Sequence, residues 1–215
     1  MGLRLSIPPQ PPSQERVRLD DHVLAQRCVA GDRAAQHQLF HAHRRRVHAT
    51  LYRIVGSNAS MDDLLQETFI NVFRSLATYR GEALLATWID RCAVRVAYAH
   101  IAQRRARMPS LELVPEIPAG DPSAEQRALA REAARHLYAA LDAMDPKQRT
   151  AFTLHAIDGR SLAEVAELMD ASVVATQTRV WRARRALSAK AGKDAALVDF
   201  VSAGRIGRVS GKEDG

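Results

Sequence analysis

Several features that define secreted, membrane or catalytic proteins are scarce in this chain of 215 residues. The two cysteines, Cys28 and Cys92, lie far apart with no Cys-x-x-Cys pattern, so we expect packed, reduced thiols and no disulfide framework. No run approaches the roughly 20 apolar residues that span a bilayer, and an apolar signal core is absent. The sequence therefore predicts a cytoplasmic protein with no membrane partner.

Motifs of the common enzyme classes are also missing. The chain has no glycine-rich phosphate loop, no His-Glu-x-x-His and no nucleophile elbow. A surface cluster of Asp62, Asp63 and Glu67 could hold a metal, but it has no histidine partner. We therefore expect no enzymatic activity, no cofactor, no metal and no small-molecule substrate.

Aromatic residues are only 5% of the chain, and alternating β-branched patterns are almost absent. Long tracts rich in Ala, Leu, Arg and Glu instead favour helices, which predicts an all-α protein. The net charge of +7 favours an anionic partner, either a nucleic acid or an acidic surface.

Prolines divide the chain into segments. Four prolines in residues 8–12 predict a disordered arm over residues 1–18, with the first helix beginning near Asp20. Four more in residues 108–122 predict a linker between two small helical domains, residues 19–107 and 123–191. A tail over residues 192–215 contains an apolar patch, which either docks on a partner or frays.

A helix is predicted over residues 33–55, with Asp32 as its cap. His37 and His41 lie one turn apart on it, a spacing that can bind a metal. Because no cysteine or acidic residue within the segment completes a site, an exposed basic face is favoured.

The next helix, over residues 60–76, has one apolar stripe and one acidic face. Ser60 is expected to cap its first amides, with Asp62 and Asp63 at the positive end. No Lys or Arg occurs between Arg53 and Arg74, so the face opposite the stripe is acidic in a basic protein. Alone, this is either a partner surface or an ordinary solvated face. The stripe contains Leu64, Leu65, Thr68, Phe69, Val72, Phe73 and Leu76, and the opposite face contains Asp63, Gln66, Glu67 and Asn71.

A basic helix is predicted from Thr87 to Arg107. No acidic residue lies between Asp90 and Glu112. Cations beside aromatic residues suit single-stranded DNA, because the cations follow the phosphates while apolar walls hold unstacked bases. The alternative is a solvated face, and for Trp88 a core position is favoured. The cations are Arg91, Arg95, Arg104, Arg105 and Arg107.

The segment 161–191 predicts a helix-turn-helix. Ser161 and Glu164 form a capping-box pattern, and Ser172 is expected to cap the second helix. No acidic residue occurs from Ala171 to Lys193, so cations would contact phosphates while short side chains read bases. A plain helical hairpin is the alternative. The residues assigned to DNA are Ser172, Val173, Val174, Gln177, Thr178, Arg179, Arg182, Arg184 and Arg185.

Three motifs in order resemble bacterial sigma factors of the extracytoplasmic-function branch: Asp-Leu-Leu-Gln-Glu-Thr-Phe from Asp63, Thr-Trp-Ile from Thr87, and Gln-Arg from Gln148 leading into the helix-turn-helix. The resemblance implies two helical DNA-binding domains, region 2 and region 4. It implies that Asp63, Gln66 and Glu67, with Asn71 on the same face, bind the β′ coiled coil of RNA polymerase.

The resemblance further implies minus-10 recognition by the loop and basic helix after residue 78, and minus-35 recognition by the helix-turn-helix. It implies the partners core RNA polymerase, including the β flap, promoter DNA and an anti-sigma factor. Departures occur at Arg95, Ala99, Asp170 and Thr176, where the family commonly has Asn, an acid or amide, Gly and Val. A stand-alone helix-turn-helix regulator is the alternative function, although it leaves the acidic face unused. The minus-10 residues are Tyr79, Arg80, Gly81, Glu82, Trp88, Arg91, Arg95, Arg104 and Arg105.

Overall fold

A computed structural model describes residues 14–107 and 124–191, and these residues form helices and short turns with no strand. The predicted arm up to residue 13, the linker 108–122 and the tail 192–215 lie outside the described residues. None of the helices in the described ranges is long and apolar enough to cross a lipid bilayer. The all-α prediction is confirmed.

The first half contains four α-helices. They are α1 (Gln14–Val29), α2 (Arg33–Val55), α3 (Met61–Ser75) and α4 (Leu85–Arg107), with a short 3-10 turn at Leu76–Thr78 between α3 and α4. The predicted arm is wrong over residues 14–18, which are already helical, and so is the predicted start of the first helix near Asp20. The reason is local, because Pro12 is the last proline of this N-terminal segment and the residues after Gln14 are good helix formers.

Capping explains where several of these helices begin and end. Asp32 accepts hydrogen bonds from the amides of Ala34 and Ala35 and so fixes the start of α2, as predicted. Gly56 ends α2 in the left-handed conformation at φ 76°. Ser60 precedes α3 but makes no side-chain cap, so that prediction is wrong. Ser57 instead accepts a hydrogen bond from the amide of Ala59 in the preceding turn.

The second half contains α5 (Ala124–Asp142), α6 (Pro146–Phe152), α7 (Leu162–Leu168) and α8 (Val173–Ala191). Asp145 caps α6, and Pro146 occupies its first turn. A π-helical segment, Thr153–Ile157, continues α6 before the turn that leads to α7. The helices α5, α6 and α7 all pack on α8.

The two halves pack on each other and do not stand apart. The largest hydrophobic cluster combines core residues of α2, α3 and α4, such as Leu51 and Ile89, with Leu154 and Val165 of the second half. A smaller cluster, with Leu141, Phe152 and Leu187, belongs to the second half alone. The basic helix α4 therefore lies at the junction of the two halves.

Candidate polymerase and nucleic-acid interfaces

The acidic face of α3 is open to solvent. Asp63, Gln66 and Glu67 are exposed, while Leu64 and Phe69 on the other side of the helix are buried. Thr68 is also buried, and its hydroxyl donates to the carbonyl of Leu64 at 2.7 Å. The predicted amphipathic helix is confirmed in its burial pattern.

One further member of this face escaped the sequence analysis. Ile70 is an exposed large apolar residue, three positions after Glu67 and one before the half-buried Asn71. Helical spacing places it beside Glu67 on the same face. Ile70 follows Asp63 by seven residues, and this helical spacing was the signal in the sequence that could have placed it on the acidic face. The face thus combines carboxylates with an apolar contact.

The loop before α4 is closed on itself. The Tyr79 hydroxyl donates to the carbonyl of Ala83 at 2.8 Å, and its ring lies edge-on to Trp88 with centroids 5.8 Å apart. The amide of Leu85 donates to Asp21 of α1 at 2.8 Å. Because Tyr79 is buried, it supports the loop from inside and does not present its ring to a base. Burial also raises the pKa of this tyrosine.

The remaining loop residues are more accessible. Arg80 and Glu82 are exposed, and Gly81 has φ 75° at the loop tip. Trp88 is half-buried and packs against the core cluster, as favoured from the sequence. The loop therefore offers a cation and a carboxylate to solvent, and its aromatic residues hold it in shape.

Three of the α4 cations already have partners in the second half. Arg91 pairs with Glu167 of α7 at 2.8 Å, and Arg104 pairs with Asp142 of α5 at 3.3 Å. The Arg105 guanidinium donates to the carbonyl of Met144. Arg95 is exposed and lines a cavity of about 160 Å³ between α4 and the second half. Three of the cations predicted to hold a single strand are thus already paired within the chain, while Arg95 and Arg105 remain exposed.

The helix-turn-helix has the predicted geometry. Ser161 and Glu164 form a reciprocal capping box, and the Ser172 hydroxyl accepts from the amide of Ala175 at 3.1 Å. Asp170 takes the left-handed conformation at φ 50° in the turn. Thr176 is fully buried, and its hydroxyl donates to the carbonyl of Ser172 at 3.0 Å, so it fills a core position despite its polar group.

Most residues assigned to the minus-35 element share one exposed face of α8. Val174 is 73% exposed and follows Val173, which is also exposed. Arg179 and Arg184 are only half-buried, and burial lowers the pKa of Arg184. The exposed set is Ser172, Val173, Val174, Gln177, Thr178, Arg182 and Arg185.

Trp181 also lies on this face and was missed. It is 56% exposed, and the Arg185 guanidinium lies over its ring, 5.5 Å from the centroid. It follows Val174 by seven positions and Gln177 by four, so helical periodicity alone would have placed it there. Its ring adds an apolar edge beside the arginines.

A charged network that the sequence did not indicate joins the two halves. Asp90 of α4 is completely buried, and its Oδ2 accepts hydrogen bonds from Arg46 at 3.0 Å and Arg160 at 2.8 Å. Arg160 also donates to Asp158, which pairs with Arg53 of α2 at 2.8 Å. In the sequence, Asp90 is marked only as the last acidic residue before the basic stretch of α4.

No cluster of three or more potential metal ligands occurs among residues 14–107 and 124–191. His37 and His41 approach through their Nε2 atoms at 3.0 Å, and both are exposed. Cys28 and Cys92 are free thiols, and burial raises the pKa of each.

Comparison with known proteins adds the family. The family model of sigma-70 region 2 matches residues 39–107, and that of sigma-70 region 4 matches residues 134–187. The ECF RNA polymerase sigma-E factors of Salmonella typhimurium (strain LT2) and Escherichia coli (strain K12) are each 30% identical over 183 residues, which cover 80% of this chain and 95% of those proteins. That of Haemophilus influenzae is 29% identical over 182 residues, covering 80% of this chain and 96% of that protein.

Two solved structures share the fold. CnrH in complex with the cytosolic domain of CnrY has a TM-score of 0.55 at 24% identity, over 81% of this chain and 98% of CnrH. RpoE of Bartonella quintana, in complex with the anti-sigma factor NepR, has a TM-score of 0.52 at 17% identity, over 77% of this chain and 95% of RpoE. The order of motifs, the two matching regions and the near-complete coverage of the sigma-E factors agree, and the chain belongs to the extracytoplasmic-function sigma factors, which direct RNA polymerase to specific promoters.

Proposed function

We propose that this sigma factor binds core RNA polymerase through α3 and reads promoter DNA through α4 and α8. The observation that carries the proposal is the separation of charge. The exposed face with Asp63, Gln66 and Glu67 is acidic, whereas α4 and α8 are both rich in arginine, in a chain with net charge +7. A protein that joins a polymerase to DNA needs one surface for each partner, and these two surfaces differ in sign.

On this proposal α3 contacts the β′ coiled coil of the polymerase, and Ile70 adds apolar area at the centre of the contact. Interface centres are depleted in charge and depend on buried apolar anchors, while carboxylates at the rim steer association. The second half, residues 123–191, would contact the β flap and the minus-35 element. The domain boundaries at residues 19–107 and 123–191 belong to the same proposal.

For DNA, α8 enters the major groove with its exposed N-terminal face. Gln177 and Thr178 are short enough to read base edges, and Arg182 and Arg185 reach the phosphates on either side. In the minus-10 element, Arg80 and the cations of α4 hold the non-template strand by its phosphates. Tyr79, being buried, acts by shaping the loop around Gly81 and Glu82.

An anti-sigma factor is a further proposed partner. RpoE of Bartonella quintana was solved with the anti-sigma factor NepR, and CnrH with the cytosolic domain of CnrY. Exposed apolar residues in both halves, such as Leu19 of α1 and Val174 of α8, offer contacts that such a protein would cover. The protein is proposed to work in the cytoplasm, as a subunit without catalytic activity of its own.

Co-purification with core RNA polymerase tests the polymerase surface. We expect wild type to bind and the Gln66→Ala Glu67→Ala double variant to lose most of its affinity, because both side chains are exposed and have no role in the core. A matched control is Gln38→Ala Asp20→Ala, which removes one amide and one carboxylate from exposed positions on α2 and α1, outside the surfaces assigned to the polymerase. The control should bind like wild type.

The opposite result has a clear meaning. If wild type fails to bind the polymerase and instead holds duplex DNA tightly by itself, the stand-alone regulator replaces this proposal. If both double variants bind like wild type, the polymerase contact lies elsewhere on the chain and the α3 assignment is wrong.

A further inference from the structure

The basic helix α4 begins without a side-chain cap of its own. The amide of Trp88 donates to the carbonyl of Leu84, so Leu84 occupies the capping position, but its apolar side chain cannot accept a hydrogen bond from the first amides. The first turn of α4 also contains no acidic residue. Because the first amides of a helix have no partner within it and form the positive end of its dipole, the start of α4 needs an acceptor from elsewhere in the chain.

Asp21 of α1 supplies that acceptor. Its Oδ2 accepts a hydrogen bond from the amide of Leu85, the first residue of α4, at 2.8 Å, although the two residues are 64 positions apart. Leu85 is fully buried in the core cluster, and Asp21 is half-buried. A carboxylate is also the favourable charge at this end of a helix. A side chain of α1 therefore fixes the point at which α4 begins.

The next residue of α1 supports the beginning of the loop that leads to α4. The His22 ring lies beside that of Tyr79, with centroids 6.5 Å apart and planes tilted by 42°. Tyr79 in turn donates from its hydroxyl to the carbonyl of Ala83. The loop over residues 79–85 is thus held at its beginning by His22 and at its end by Asp21, two consecutive residues of one helix.

The tip of this loop is the part assigned to the minus-10 element. Arg80 and Glu82 are exposed, and Gly81 between them has φ 75°. A short loop with both ends fixed has few conformations available to its tip. A site that discriminates between ligands needs such support, from residues that do not themselves contact the ligand.

We propose that Asp21, with His22 beside it, is a positioning residue for minus-10 recognition, which sets the conformation of the loop 79–85 and hence its choice of bases. The inference rests on the proposed function of this loop. It adds that base preference in the single strand depends on a carboxylate of α1, whereas polymerase binding through α3 and duplex reading through α8 do not. Because a carboxylate repels phosphates, its removal by itself favours DNA binding, so a loss of preference has to come from the loop.

The test uses the full-length chain bound to core polymerase and a pool of fork-junction DNA. The duplex part and the single-stranded non-template part of this DNA are both randomised, and the bound molecules are sequenced. We expect wild type to select a motif in each part. Asp21→Ala should lower the base preference in the single strand about fivefold, the effect of losing one helix cap, and should leave the duplex motif unchanged.

Two variants separate the hydrogen bond from the charge. Asp21→Asn keeps an oxygen that can accept from the amide of Leu85, and Asn caps helices about as well as Asp, so its preference should stay within about twofold of wild type. Asp20→Ala removes the same charge from the adjacent exposed position and should select the wild-type motifs. Circular dichroism and co-purification with core polymerase confirm that each variant is folded.

His22→Ala gives an independent result should Asp21→Ala fail to fold. It releases the other end of the loop from α1 and should also weaken the motif in the single strand alone.

An unchanged single-strand motif in the folded variants among Asp21→Ala and His22→Ala would overturn the inference and leave the function assigned to the loop intact. An equal loss in Asp21→Asn and Asp21→Ala would overturn it as well, because the charge and not the hydrogen bond would then be responsible. If wild type binds polymerase but selects no single-strand motif, the function assigned to the loop is wrong and the inference falls with it.

Discussion

Arg149 lies with its guanidinium between the carbonyl oxygens of Ile54 and Val55, at 3.0 and 2.7 Å, and is nearly inaccessible to solvent. The two residues it joins to its own helix are more than 90 positions earlier in the chain. Burial lowers the pKa of Arg149, and the neighbouring Asp142 raises it. The carboxylate of Asp142 and the two carbonyls therefore offset the cost of burying the guanidinium.

Arg149→Met should lower the free energy of unfolding by roughly 3 kcal/mol, because it removes one of the two arginines that pair with Asp142 and leaves two buried carbonyls unpaired. Urea denaturation followed by circular dichroism measures the change. Arg135→Met on α5 is the control, since Arg135 is exposed and its replacement should cost less than about 0.5 kcal/mol. Equal effects of the two substitutions would contradict the structural role of Arg149.

A second prediction concerns the stability of the turn at Asp170, whose backbone is left-handed. A non-glycine residue at φ 50° carries a strain that glycine does not. Asp170→Gly should therefore raise the free energy of unfolding by about 0.5 kcal/mol, and Asp170→Val should lower it by more than about 1 kcal/mol. Thermal unfolding measures both. Ala163→Gly, in the first turn of α7, should instead be destabilising, and a loss of stability in Asp170→Gly would contradict the prediction.

Stability should fall as the pH falls through the histidine range. Burial lowers the pKa of His43 and of His100 below the ordinary value of 6.5. The unfolded chain then binds more protons than the folded chain near and below pH 6.5, so stability is present above that pH and is lost toward the lower folded-state pKa. Asp32 and Glu164 have lowered pKa values and contribute only at more acidic pH.

The measurement is the midpoint of thermal unfolding between pH 7.5 and pH 5.5, about one unit either side of the ordinary histidine pKa. We expect the midpoint to decrease over this range in wild type. His43→Gln His100→Gln should flatten the dependence, whereas His48→Gln, at an exposed position, should leave it unchanged. A midpoint that rises on acidification would refute the assignment.

On α8, Gln177 and Arg182 should respond differently to substitution. Gln177→Ala should relax the preference at one base pair of the minus-35 element, at a cost of about 1–3 kcal/mol for the preferred base. Arg182→Ala should weaken binding to all duplexes alike. It should also reduce by about one the slope of the logarithm of the binding constant against the logarithm of the salt concentration. Competition binding with the polymerase holoenzyme distinguishes the two patterns, and the same pattern for both variants would contradict the assignment.

Local features of the fold were predictable because they depend on near neighbours in sequence. The helix Arg33–Val55 followed from its Asp32 cap and from Gly56, and the helix-turn-helix from Ser161, Glu164 and Ser172. The exposed acidic face of α3 followed from helical periodicity. In each case the signal spans only a few residues.

The polar contacts between the two halves could not be predicted in the same way. Asp90 and Arg160 are 70 positions apart, and neither has an unusual neighbour in sequence that would mark it. The resemblance to sigma factors placed Tyr79 among the minus-10 residues, but its hydroxyl donates to Ala83 within the loop and its ring packs on Trp88 of α4. Pairing across such distances depends on tertiary packing, which periodicity does not encode.

The π-helical segment Thr153–Ile157 affects the orientation of the helices that follow it. Its wider turn accommodates one residue more than an α-helix would, as shown by the hydrogen bond from the amide of Asp158 to the carbonyl of Thr153. Each residue of an α-helix turns the chain by about 100°. Deletion of one residue from this segment would therefore rotate α7 and α8 by about 100° about the axis of α6.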